Sequence, residues 1–159
     1  MKAIGIRVMP KEIYYTVAEI DENSEISIGE EGVEKVILPI ALDVPNRLAF
    51  IRQTFISIIN EFEIENAGIR VVESVAKKVS IERMNIEGVI QELLANSTVK
   101  NYFVGTISTI AKHLSVKSTD LSEAFKSNEP LEDYDIDDWS SLKKEEKESL
   151  MTALAALNI

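Results

Sequence analysis

The chain of 159 residues predicts an α/β fold built on a mixed five-stranded sheet, and three observations carry that reading. Residues 2–40 hold three β-branched or aromatic runs parted by turn residues, the pattern of an antiparallel meander. From Leu48 the apolar period changes from two to three and four, the mark of an amphipathic helix. Beyond it, helical stretches alternate with short apolar runs, and such βα crossovers add parallel strands beside the first strand of the meander. The predicted order is β-β-β-α-β-α-β-α followed by a C-terminal helix, with helices flanking both faces of the sheet.

Each element has its own signal. "AIGIRVM" and "EIYYTVAEI" read as a hairpin around "PKE", where Pro10 sits in the turn and removes no ladder hydrogen bond. "DENSE" and "GEEGVE" supply turn chemistry before a third short strand, "KVILPI", which ends at Pro39. In "VPNRLAFIRQTFISIINEFEIENAG", Leu48, Ile51, Phe55, Ile58, Ile59 and Phe62 form one helical stripe between Pro45 and Gly68. "IRVVES" reads as the fourth strand, and "SIERMNIEGVIQELLANS" as a helix capped by Ser80 with Ile86, Ile90, Leu93 and Leu94 on its inner face. "VKNYFVG" is a fifth strand and "TISTIAKHL" a short helix. Residues 115–138, rich in Ser and acids and poor in apolar periodicity, read as an acidic connection. The C-terminal helix spans 139–157, with Ser140 or Ser141 as cap, Leu150, Leu154 and Leu157 on one side and Trp139 as its anchor. No internal repeat is evident, and residues 1–159 read as one domain.

Composition narrows the chemistry. Hydrophobic residues make up 45% and charged residues 28%, and no apolar run reaches membrane-spanning length, so a soluble cytoplasmic protein is expected, with no membrane partner. Zero cysteines remove disulfides, thiolate metal sites and cysteine nucleophiles, while a single histidine, His113, leaves no zinc cluster. The net charge of -10 opposes a nucleic-acid partner held by bulk electrostatics. That charge is unevenly placed: residues 1–69 carry 6 basic against 12 acidic side chains, residues 70–117 carry 7 against 4, and residues 118–159 carry 4 against 11. Only the central third offers a basic surface.

The element order, with "AIGIR", "IRVVES" and the terminal "TALAAL", resembles the ribonuclease-H-like superfamily, in particular the branch of the RuvC Holliday-junction resolvases. The likeness covers roughly residues 2–114 and the last helix. It implies a sheet that gathers a carboxylate at the end of strand one, a Glu at the end of strand four and one or two Asp on the last helix around two divalent ions. Carried over by position, these ligands fall on Arg7, Glu73 and Thr152, and of the three only Glu73 is a carboxylate. A guanidinium where a cation should bind repels it, and a threonine supplies no charge. Glu148, one turn before Thr152, is the candidate substitute ligand, with Asp137, Asp138 and Glu145 as further acids that the last third can bring near. A pairing of Arg7 with Glu73 is expected instead of a metal site, and no cofactor is expected; magnesium or manganese enters only if the chain is a nuclease with a rearranged carboxylate site.

Lys77, Lys78, Arg83, Lys112 and Lys117 make the central third basic and are the candidate nucleic-acid contacts, and the resemblance implies that the segment after the strand-four Glu helps hold DNA. A solvated basic face is the competing reading. Tyr102 and Phe103 lie within an apolar strand and are assigned to the core, not to base stacking. His113 has no Ser or Asp partner at triad spacing, and the scattered glycines form no phosphate loop. "EPLEDYDIDDW", residues 129–139, interleaves acids with Leu131, Tyr134, Ile136 and Trp139, as partner-binding or groove-covering segments do. The expected function is a non-catalytic scaffold or interaction module, with a protein partner or a second copy. A metal-dependent nuclease and a nucleic-acid binder that does not cleave are the alternatives.

Overall fold

A computed structural model describes residues 1–73, 80–134 and 136–159. Its strands are β1 (Lys2–Val8), β2 (Glu12–Ile20), β3 (Ile26–Ile37), β4 (Asn66–Arg70) and β5 (Asn101–Gly105), in one sheet of order β3-β2-β1-β4-β5. β1 pairs antiparallel with β2, and β2 with β3, whereas β4 runs parallel to both β1 and β5. This is the predicted mixed sheet, with β1 at its centre. The helices are α1 (Val44–Glu61), α2 (Ile81–Ala95), α3 (Ile107–His113), α4 (Ser118–Ala124) and α5 (Lys144–Ala156).

The two faces of the sheet are covered differently. Ile4, Ile6 and Val8 of β1, with Ala67 and Ile69 of β4, face α1 and α2 and join Ile51, Phe55, Ile59, Ile90 and Leu93 in one apolar cluster. Each such fully buried side chain contributes roughly 1.5–3 kcal/mol. Asp43 caps α1 by accepting from the Asn46 amide at 3.1 Å, and Ser80 caps α2 by accepting from Arg83 at 3.3 Å. On the opposite face α5 crosses β1, β2 and β4, flanked by α3 and α4. The crossing is close: a Cβ on Gly5 would lie 2.1 Å from the Ala153 amide nitrogen, and one on Gly68 would lie 2.8 Å from the Thr152 methyl. Glycine at Gly5 lets the helix backbone rest on the sheet, and glycine at Gly68 makes room for the Phe103 ring, 2.6 Å from such a Cβ, and for the Thr152 methyl.

Four expectations are corrected. β3 begins at Ile26, so "GEEGVE" is part of a 12-residue strand and not a turn; a register shift opposite Thr16 and Ala18 absorbs its surplus residues. β4 is "NAGIR" and stops at Arg70, so Gly68 lies inside a strand and Glu73 three residues beyond it. The 115–138 segment contains α4, because Leu121, Ala124 and Phe125 recur at helical spacing and bury themselves against α3 and α5. The last helix starts at Lys144 and not at 139: Trp139–Ser141 form a 3-10 turn, and the Lys143 amide donates to Glu146 at 2.7 Å. Trp139 is buried, as an anchor should be, with the Lys147 ammonium 5.0 Å from its ring centroid. None of the helices among the described residues is long and apolar enough to cross a membrane.

Candidate functional site

The site lies where β1 and β4 end beneath α5. The two strands carry the same tripeptide in register, with Gly5 beside Gly68, Ile6 beside Ile69 and Arg7 beside Arg70. Alternation along the strands explains the repeat: the glycines admit α5, the isoleucines fill the opposite core, and the arginines come back to the α5 side at the strand ends. Both guanidiniums are nearly excluded from solvent, at 10% and 4% side-chain exposure. A buried charge requires a partner.

Glu148 supplies it. Its side chain, 1% exposed, descends from the first half of α5 and forms an ion pair with Arg7 Nε, while its other oxygen lies 4.0 Å from Arg70 Nη2. Arg7 also donates from Nη1 to the Arg70 carbonyl at 3.3 Å. Arg70 Nη2 meets Glu73 at 2.9 Å, and Glu73 accepts from the Ile107 amide at 3.1 Å, which ties the chain after β4 to the start of α3. A second layer comes from α2, where Arg83 and Glu87 pair at 2.8 Å one helical turn apart, and Glu87 is the acceptor for the Val72 amide at 3.5 Å. Three arginines and three glutamates therefore balance in charge. Burial lowers the Arg7 pKa to about 10, with Glu148 opposing the shift and Arg83 and Arg70 adding to it. Arg7 remains a cation at neutral pH.

The expected pairing of Arg7 with Glu73 is not formed. Because β4 ends at Arg70, the neighbour of Arg7 across the sheet is a second arginine, which takes Glu73 for itself and leaves Arg7 to Glu148. Thr152, the third position carried over, is fully buried; its hydroxyl donates to the Glu148 carbonyl at 2.6 Å and its methyl packs on Gly68. Of the proposed nucleic-acid residues, Arg83 is held by Glu87, Lys112 and Lys117 are exposed on α3 and before α4, and Lys77 and Lys78 lie outside the described residues. His113 closes α3 with its ring 4.8 Å from that of Phe103. Phe103 is in the core, but Tyr102 is 45% exposed, a correction that follows from β5 being an edge strand.

These donors do not fit a pair of divalent ions. The two carboxylates nearest the strand ends are engaged by arginines, and a unit charge 4 Å from a like charge costs about 4 kcal/mol near a protein surface. Among the described residues no group of three or more His, Asp or Glu is arranged to hold a metal. Sequence reading named Glu148 but missed Arg70 and Glu87. The repeated Gly-Ile-Arg was the available signal for Arg70.

Sheet order, crossovers and the α5 crossing define the ribonuclease-H-like fold in its RuvC-like form. Over 98% of this chain it superposes on 92% of Thermus thermophilus RuvC, solved in complex with a Holliday junction substrate, with a TM-score of 0.66 at 11% sequence identity. The yeast mitochondrial Holliday junction resolvase superposes with a TM-score of 0.56 at 16% identity, over 98% of this chain and 77% of that one. No family model and no curated protein matches the sequence.

Proposed function

We propose that this chain is a non-catalytic RuvC-like domain, a scaffold or interaction module in which an ion-pair network occupies the strand-end position that metal ligands hold in the resembled nucleases. The observation that carries the reading is the buried contact between Arg7 at the end of β1 and Glu148 on α5. It commits the helix carboxylate to a fixed internal cation, and Arg70 commits Glu73 in the same way. Glu73 is partly exposed and water can take its place, whereas removing either Arg7 or Glu148 leaves an uncompensated buried charge, so that pair acts as a lock between sheet and helix. Its contribution is to geometry, not to water activation.

The alternative, a metal-dependent nuclease, draws on the fold likeness to junction resolvases. Incubation with four-way junctions, single strands and RNA–DNA hybrids in magnesium or manganese separates the two. The non-catalytic reading expects no cleavage above a metal-free blank. Cleavage that Glu73→Gln abolishes would establish the nuclease.

A further inference from the structure

β3 is an end strand of the sheet, and its outer edge pairs with no other strand among the described residues. Beside that edge, on the α5 face, runs a groove of about 820 Å³. Its apolar lining includes Ile28 and Val33 of β3, Leu142, and the buried Leu150 and Leu154 of α5. Its rim carries Asp133, Asp137 and Asp138, all exposed. On the opposite face of the same edge a second depression, of about 330 Å³, is bordered by Glu34 and Glu61. None of these five acids has an ion-pair partner among the described residues. An unpaired strand edge is a template for another strand, and apolar hollows next to it select the side chains of that strand.

We infer that the β3 edge takes up an extended segment of a partner protein in which apolar residues alternate with lysine or arginine. A strand added at this edge turns successive side chains to opposite faces. One set then enters the groove over Leu150 and Leu154, and the other meets Glu34 and Glu61 on the far face. The three aspartates reward basic residues at the margin of the groove and repel acidic competitors, which sets specificity and speeds encounter. The inference does not depend on the strand-end network, since a catalytic domain with this fold would carry the same edge.

The test uses the full chain and a fluorescein-labelled peptide of alternating valine and lysine, with two controls: valine alternating with glutamate, and the same valines and lysines in separate blocks. Anisotropy should show the alternating basic peptide binding at least about tenfold more tightly than either control. Asp133→Lys with Asp137→Lys should weaken it about tenfold, whereas Asp120→Lys with Glu123→Lys, the same charge change on α4, should weaken it less than about twofold. In the wild type, hydrogen exchange across residues 26–34 should slow on adding peptide. Equal weakening by both double variants would reduce the effect to general attraction by an acidic protein and overturn the inference. So would equal binding of the blocked peptide, protection outside β3, or a concentration-dependent dimer that protects β3 without peptide, which would assign the edge to a second copy.

Discussion

The two faces of one sheet both bury an apolar cluster, but they are built differently. Toward α1 and α2 the strands present Ile, Val and Ala, and the interface is apolar except where Arg83 and Glu87 of α2 reach the end of β4. Toward α5 the same strands set Gly5, Arg7, Thr16, Asn66, Gly68 and Arg70 among the apolar Ala3, Ala18 and Phe103, so that close approach, hydrogen bonds and ions are added to an apolar cluster with Leu150, Met151 and Leu154. Thr16 shares a hydrogen bond of 3.0 Å with Ser149, and Asn66 donates to the Ala156 carbonyl at 3.0 Å. An apolar face tolerates modest changes of shape because its partners can repack. The α5 face specifies one position of one helix, since Arg7, Thr16, Asn66, Arg70 and Glu148 are taken out of water there and depend on partners across the contact. That difference makes the second face the place to look for function.

Substitutions that sharpen the contrast fall in a clear order. Gly5→Ala drives a methyl into the α5 backbone and should cost more than about 3 kcal/mol in urea unfolding, or prevent folding altogether. Ile6→Val, its neighbour on the opposite face, should cost only about 1 kcal/mol in the same measurement. Glu73→Gln, at 37% side-chain exposure, should cost less than about 1 kcal/mol and become indistinguishable from wild type in high salt. If Gly5→Ala proves as mild as Ile6→Val, α5 is not fixed by close approach and the contrast between the faces fails.

Much of the fold was legible in the residues, because period and punctuation are local. β2 is "EIYYTVAEI", the stripe of α1 buries Ile51, Phe55, Ile58 and Ile59, and Ser80 caps α2. What escaped was decided by tertiary contact. Gly68 reads as the end of a helix until the Phe103 ring and the Thr152 methyl leave room only for a glycine there, and moving it into β4 displaces Glu73 from the strand and brings Arg70 beside Arg7. The absence of a carboxylate at Arg7 and Thr152 was visible, as was Glu148 as a substitute; which arginine each glutamate would take was not. α4 was hidden by the acids around Leu121, Ala124 and Phe125, whose spacing is helical but whose run is a single turn.

The lock between Arg7 and Glu148 is the central claim, and a double-mutant cycle addresses it directly. Urea unfolding of the wild type, Arg7→Met, Glu148→Met and the double variant should be followed in chelator and again in millimolar manganese. Each single change should cost roughly 3 kcal/mol by stranding a buried charge, the double change should cost less than the sum of the two, and manganese should leave the wild type unmoved. Additive losses, or a wild type stabilised by manganese, would contradict the account and return Glu148 to the role of a metal ligand.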